Sequence, residues 1–487
     1  MEKIPEDELK FKDFEKRIFD IMCREACKAM QQYLEWRDAG IMACRDTNEY
    51  RCIDTRATTV KTLMGEVSYS RHYYKKKSGG YVFLLDEAMG ITDGVGLISE
   101  NLAEQIVIEC SEKSFRKAAV SISSLTGQTI SAPGAWNVVR QFGETIEDQE
   151  TKLKGLDEND KTGCLGNVKS RVIFEEYDDV WIPMQHEDRP KRGTAAVKRK
   201  KAGKKPMHAG TAYTGWVRTK DGKYNTENKL AYASFCEVPV FISRFETLLR
   251  HCFDMDGVEQ RIANGDGETW IRTAAEGNDS ILQLDPYHRS RAVIRAISNK
   301  SERRALFEAI REKDVNKALS IIRELILKAD EAAKRKKLEK LYIYFSNNRD
   351  IFLTWQERGI ELPTPPEGVY YRNLGVQESS NCNLITQRMK HCKGGWSIKG
   401  ADRMGKILCF RYTVGLEAIL GALPTPVPGE VRPDPLSAAK APLYDGKGYD
   451  AEWLYARMPF EQTFKTNGRE AIRGMLRQRP VSGLAFM

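Results

Sequence analysis

No stretch of this 487-residue sequence approaches the roughly 18 consecutive apolar residues that a membrane-spanning helix requires, so no membrane span is expected. The opening MEKIPEDELKFKDFEK is charged throughout and lacks the apolar centre of a secretory signal. The two absences predict a cytoplasmic protein with no membrane partner. No two cysteines form a CxxC pair, and the eleven present are odd in number and spread from Cys23 to Cys409. That excludes a disulfide framework and favours reduced, buried thiols. Cys23, Cys27, Cys44 and Cys52 lack the nearby histidine that would favour a zinc site. Histidine is also scarce, with six in the chain, which disfavours chemistry built on several imidazoles.

What is present is the balance of a soluble globular protein, 41% hydrophobic and 30% charged. The length predicts about two to four domains of roughly 150 residues each. The formal net charge is +9. Between Arg189 and Lys205, RPKRGTAAVKRKKAGKK carries nine Lys or Arg and no acid, a run that includes Arg199, Lys200 and Lys201. Such a run is either a solvated loop or a polyanion contact; inside a folded domain it favours nucleic acid.

Residues 9–36 place Phe11, Phe14, Ile18, Tyr33 and Leu34 at helical spacing, which predicts an amphipathic helix with a packing face. Thr58–Tyr74 reads as a hairpin about Gly65, with a further short strand at Tyr81–Leu85. Ser114–Leu125 is a helix closed by Thr126-Gly127, and Ser131 caps a second helix with Pro133 in its first turn. The pair is either a packed helical hairpin or a helix-turn-helix, with Arg116, Lys117 and Arg140 as its cations. Gln149–Gly166 reads as a polar linker. From Val172 the pattern becomes strand-rich: a strand ending in acids, a turn at Asp178-Asp179, a second strand from Val180, a third over His208–Thr219, a helix over Val240–Phe253, and strands leading to Asp266 and Asp285. That order predicts an α/β domain with a mixed sheet. Residues from Arg289 to about Trp355 are helical, Pro363, Pro365 and Pro366 end them, and Glu378–Lys390 forms one more helix before a basic loop. A final basic helix is expected over Ala471–Gln478.

The acids Asp178 and Asp266 sit at strand ends, and Glu378 opens a helix. Converging carboxylates suit Mg2+, a hard cation that accepts oxygen ligands, and a pair of such ions can activate water and stabilise a departing phosphodiester oxygen. Each acid also has a plainer role: an Asp beside Gly turns the chain, and a Glu at a helix start answers the helix dipole. Asp285 and His288, three residues apart, are either a helix cap or part of the site.

The sequence resembles the ISLre-type insertion-sequence transposases, relatives of the Mutator transposases, through GEVSYSRHYY, YVFLLDEAMGI, SFRKAAVSISSLTGQTIS, EEYDDVWIPMQ, NGDGETWI, LDPYH and VQESSNCNLITQRMKHCKGGWSIKGADRM. The resemblance implies an α/β, ribonuclease-H-like catalytic domain interrupted by an all-helical insertion and preceded by a mainly helical DNA-binding region with a small β-hairpin. It implies a triad Asp178, Asp266 and Glu378 holding Mg2+, with Mn2+ as a substitute, and Asp285 and His288 in support. Asp179 stands where the family commonly has Gly. The domains then run 1–110, a helix-turn-helix at 111–148, catalytic segments at 167–290 and 371–415 around the insertion 291–370, and a tail from 416. The partner implied is double-stranded DNA, both terminal inverted repeats and target, bound by at least a dimer in a bacterial, nucleoid-associated setting. Arg388, Lys390, Lys393, Trp396 and Lys399 are expected to contact the scissile strand, with Trp396 stacking on an unpaired base. The alternatives are a transposase-derived DNA-binding protein without catalysis and an unrelated nuclease of the same fold.

Overall fold

The computed structural model describes residues 10–91, 98–159, 166–185, 203–392, 394–411 and 413. They divide into two compact units. One holds the residues up to Glu109 together with Phe115–Asn137, and the other holds Cys110–Ser114 and the residues from Val138 onward. The segment expected to be a single helix-turn-helix is thus shared between the units.

In the first unit, helix α1 (Phe11–Cys44) is followed by strands β1 (Tyr50–Lys61), β2 (Glu66–Lys76) and β3 (Tyr81–Val82), then α2 (Leu84–Met89) and the start of α3 (Glu100–Glu112). The three strands form one antiparallel sheet in the order β1-β2-β3. Val60, Val67, Tyr69 and Leu85 form its core, against which Cys27, Met30, Leu34 and Ile41 of α1 pack. The expected packing face of α1 is therefore only its second half, because Phe11, Phe14 and Ile18 are exposed. Helix α4 (Phe115–Thr126) ends at Gly127 with φ +67°, and Ser131 Oγ accepts from the Gly134 amide at the start of α5 (Ala132–Asn159). Phe115 and Trp136 meet edge to face across this turn. Helix α5 runs on to Asn159, so most of the expected linker at Gln149–Gly166 is helix instead. The reason lies in its charges: Glu147 and Glu150 are tied to Arg403 and Lys406 by ion pairs of 3.1 and 2.9 Å, which draws a polar helix onto the second unit's core.

The second unit is built on β4 (Val172–Pro183), β5 (Lys204–Tyr213), β6 (Gly215–Arg218), β7 (Tyr224–Glu227), β8 (Leu230–Ser234), α6 (Val238–Cys252), β9 (Gln260–Gly265), α7 (Thr269–Gly277) and β10 (Ile281–Leu284). Five of these strands make a mixed sheet in the order β10-β9-β4-β5-β8, in which β5 alone runs antiparallel to the other four. The mixed α/β order read from the sequence is what is observed. No turn falls at Asp178-Asp179, however. Strand β4 passes straight through both acids and pairs with β5 from Phe174 to Pro183. Both faces of β4 are covered, Val172 and Phe174 by Tyr213, Trp216 and Trp355, and Tyr177 by Phe245 and Trp270. This burial explains why hydrophobic runs rather than alternation mark the strand.

Four helices follow β10: α8 (Pro286–Ala296), α9 (Lys300–Arg311), α10 (Val315–Leu327) and α11 (Ala332–Asn347). Asp285, Asn299 and Asp314 cap the first three with their side chains. Their apolar faces close over Leu306, Ile310, Ile322, Leu338, Leu341 and Phe345. The chain returns through β11 (Val369–Tyr370), α12 (Gln377–Ser380), a π-helical segment Asn381–Thr386, α13 (Gln387–Met389) and α14 (Ile398–Arg411). Strand β11 joins β6 and β7 in a small separate sheet. The expected basic helix at Ala471–Gln478 and the tail from 416 lie outside the described residues.

Candidate active site

Successive side chains of a strand point to opposite faces, so Asp178 and Asp179 cannot serve one site together. Asp179 lies directly opposite His208 on β5, and its Oδ1 is 2.8 Å from His208 Nδ1, with that ring against Trp270 and Phe241. Asp178 faces the other way. Its Oδ2 accepts from Asn381 Nδ2 at 2.8 Å, and its Oδ1 accepts from the Asp179 amide. One ligand atom each from Asp178, His288 and Glu378 lie within 4.8 Å of one another. These residues come from β4, α8 and α12.

His288 is held between two acids. Its Nδ1 lies 2.8 Å from Asp285 Oδ2 and its Nε2 3.5 Å from Glu378 Oε1. Asp285 Oδ1 meanwhile accepts from the Tyr287 amide and caps α8. The two readings of this pair in the sequence therefore both apply, one carboxylate oxygen to each. An imidazole whose Nδ1 is fixed by a carboxylate presents Nε2 outward, the arrangement found behind metal-bound histidines. Because Asn caps a helix as well as Asp, Asp285→Asn is expected to leave urea stability within about 0.5 kcal/mol. The same change is expected to weaken Mn2+ binding about tenfold by loosening the ring.

Asp266 follows β9 and stands outside the closest trio. Its Oδ1 accepts from the Glu268 amide at 3.0 Å, and its carbonyl accepts from Tyr344 Oη on α11 at 2.9 Å. The turn is tight. Gly267 has φ +89°, and a Cβ there would lie 2.2 Å from Asn348 Oδ1. Gly267→Ala is accordingly expected to lose about 1–3 kcal/mol of stability, read by urea unfolding, and to displace Asp266.

The electrostatics are those of crowded acids. Burial above all pushes the Asp178 carboxyl up to about 7, and the charges of Asp266 and Glu378 push the same way against His288 and the Asp179 amide. Burial also raises Asp266, opposed by the Glu268 amide and His288. For His288, burial acts downward, but the hydrogen bond to Asp285 and the charges of Asp178, Asp285 and Asp266 outweigh it and leave the ring above its ordinary value. Arg291 Nη1 approaches Glu378 Oε1 at 3.4 Å. Lys390 feels both Asp178 and Glu378, while burial, and then Lys204, lower its pKa. Two carboxylates and an imidazole converging in a partly buried, acid-rich pocket fit a divalent cation. Asp178, Glu378 and His288 would hold it, with Asp266 at the margin.

The expected DNA contacts divide. Arg116 and Lys117 on α4 and Lys399 on α14 are exposed; Arg140 is half-buried and paired with Glu144 at 2.9 Å. Arg388 and Trp396 correct the expectation. Both are buried, Arg388 donating to the Cys110 carbonyl and lying over the Trp396 ring, whose Nε1 donates to the Met389 carbonyl. Neither is placed to touch a strand, because both side chains are buried and Trp396 is held by backbone bonds to Pro183 and Gln185 at the end of β4. Arg199, Lys200, Lys201 and Lys393 lie outside the described residues. Asn381, Arg291 and Tyr344 were not read from the sequence, since each acts at a site assembled only by the fold.

A family model described as Uncharacterised protein family (UPF0236) matches residues 4–418. The chain belongs to the UPF0236 family. It is similar to UPF0236 protein TTE0610/TTE0881/TTE1053/TTE2432 of Caldanaerobacter subterraneus subsp. tengcongensis, 25% identical over 73% of this chain and 67% of that protein. A second protein of that organism, whose name joins eleven such designations from TTE0033 to TTE2212, is 24% identical over 82% of this chain and 77% of its own length. UPF0236 protein in vanSb 3'region of Streptococcus gallolyticus is 24% identical over 80% and 81%. All the candidate acids and His288 fall within the stretch that the UPF0236 model matches.

Proposed function

We propose that this UPF0236 chain is a DNA transposase, a divalent-metal-dependent strand transferase with a ribonuclease-H-like catalytic domain into which α8–α11 are inserted. The observation that carries the reading is the convergence of Asp178 and Glu378, far apart in sequence, on one face of the mixed sheet, with Asp266 near enough to raise the Asp178 carboxyl. The sheet order supports it: numbered within the sheet alone, β10-β9-β4-β5-β8 is 5-4-1-2-3, with Asp178 within its first strand and Asp266 at the end of its fourth. A relative's name that joins eleven designations in one strain is how one sequence present at several places in a genome would be written, as for a mobile element. The basic excess suits a DNA partner.

Asp178, Glu378 and the Nε2 of His288 would hold Mg2+ or Mn2+. When bound, the cation supplies charge for the phosphodiester and lowers the pKa of water. Arg291 and Lys390 add positive charge beside the acids, where phosphate oxygens would lie. Water first breaks a P–O bond and leaves a 3′-hydroxyl; that hydroxyl then attacks a target phosphate and displaces a 3′ oxygen, so each step exchanges one P–O bond for another. Arg116 and Lys117, together with the basic run, are the proposed duplex contacts, and joining two ends calls for at least a dimer.

The test is strand transfer with Mg2+ or Mn2+, on duplexes taken from the DNA that flanks the coding region, in which the reading expects short inverted repeats. Joined products are expected from the wild type and none from Glu378→Gln. Nicking without joining would favour a nuclease, and binding without nicking would favour a non-catalytic protein. Full activity in Glu378→Gln removes that residue from the reaction.

A further inference from the structure

Three parallel strands carry the same spacing: Glu176-Tyr177-Asp178 within β4, Asn264-Gly265-Asp266 at the end of β9 and Gln283-Leu284-Asp285 at the end of β10. In each, a buried polar side chain precedes an acid of the site by two residues and so shares its face. Strand register places Glu176 opposite Asn264 and Asn264 opposite Gln283. A polar row therefore runs across the sheet one step behind the acidic one.

The row is directional. The Trp355 amide donates to Gln283 Oε1 at 2.9 Å, Gln283 Nε2 to Asn264 Oδ1 at 3.0 Å, and Asn264 Nδ2 to Glu176 Oε2 at 3.2 Å. It ends on a carboxylate with no access to water. Glu176 Oε1 also accepts from Tyr213 Oη and from the Gly375 and Val376 amides, at 2.5, 3.0 and 2.9 Å, and Oε2 from the Gln377 amide at 3.1 Å. The next residue is Glu378. A buried carboxyl costs several kcal/mol unless its lone pairs are filled, and packing alone would be served by an apolar residue. Only an acceptor with two oxygens can take three successive amides together with Tyr213 and Asn264; an amide in its place would turn an NH2 against backbone N–H groups.

We infer that Glu176 is a positioning residue: as the end of the Glu176–Asn264–Gln283 row, it seats the Gly375–Gln377 turn on β4 and so sets Glu378 against Asp178. The role rests on the proposed reading of the acids as a cation site. Strand and turn are thereby fixed to each other, although the chain between them passes through the whole helical layer.

The test uses the full chain, with hydrogen exchange of residues 374–381 and Mn2+ binding followed by electron paramagnetic resonance. Glu176→Gln is expected to speed exchange in that turn at least about tenfold and to raise the Mn2+ dissociation constant about 10- to 100-fold. On a Glu378→Gln background the same change should add less than about twofold, since it acts through that residue. Tyr213→Phe, which keeps the core ring, should move both readouts the same way by a smaller factor and serves if Glu176→Gln does not fold. Unchanged exchange overturns the seat. Faster exchange with unchanged Mn2+ affinity, or full additivity with Glu378→Gln, overturns the positioning role. If the wild type binds no Mn2+, the cation reading of the acids falls, and exchange alone decides whether Glu176 holds the turn.

Discussion

Asp178→Asn is expected to lower metal-dependent DNA cleavage about 10³-fold or more, the upper end of what removing one preorganised electrostatic group does to a reaction. The size follows from position. Asp178 is the member of the cluster that touches every other part of it: within 4.8 Å of His288 and Glu378, bonded to Asn381, and electrostatically coupled to Asp266. The fold should survive, because the Asn oxygen can keep accepting from the Asp179 amide, only the bond from Asn381 is lost, and β4 is covered on both faces by apolar side chains. Asp179→Asn provides the contrast. Its partner is His208 on the other face, so it should leave cleavage within a few-fold of wild type. Single-turnover cleavage of an end-containing duplex, with circular dichroism to confirm folding, checks both. Equal losses from the two changes would mean that the face assignment is wrong.

How much of this was legible in the sequence depends on which forces were local. The mixed α/β order, the helices after β10 and the caps at Ser131 and Asp285 follow from periodicity and capping chemistry, which act within a few residues. The turn imagined at Asp178-Asp179 failed because two adjacent acids look like a turn, whereas here each is satisfied on its own face of an unbroken strand. The linker at Gln149–Gly166 failed for a related reason: its charges read as solvent-facing, yet Glu150 is held by Lys406, far along the chain, just as Glu147 one turn earlier is held by Arg403. Trp396 and Arg388 were misplaced because a basic, aromatic stretch looks like a DNA contact until its neighbours are known; Arg388 in fact bonds a carbonyl of α3. His288 was assigned a supporting role, and only the fold shows its Nε2 turned to Glu378. The polar row did have a signal, an amide or carboxylate two residues before each acid of the site, but the spacing means something only once the three strands are known to be parallel neighbours.

The second large effect concerns acidity and metal together. In the unfolded chain Asp178 should titrate near the ordinary value of about 3.9, whereas in the folded chain it does so at about 7. Between those values the folded state holds a proton that the unfolded state has released, so stability falls as pH rises, by up to about 1.4 kcal/mol per unit, and levels off above about 7. Asp266, also raised, acts in the same direction. His288, raised by its acidic neighbours, adds stability below its unfolded value that is likewise lost as pH rises through the folded one. A divalent cation competes for the same oxygens and stabilises only the deprotonated, folded form. The metal-free protein should therefore melt at a lower temperature at pH 8 than at pH 6, and Mn2+ should raise the melting temperature far more at pH 8. Asp178→Asn should flatten the pH dependence of the metal-free protein and remove most of the Mn2+ effect. Thermal unfolding at the two pH values, with Mn2+ and with chelator, measures all of this at once. A metal-induced shift of equal size at both pH values would mean that the acids are not competing with protons for a cation, and the raised Asp178 carboxyl would then be a consequence of burial alone.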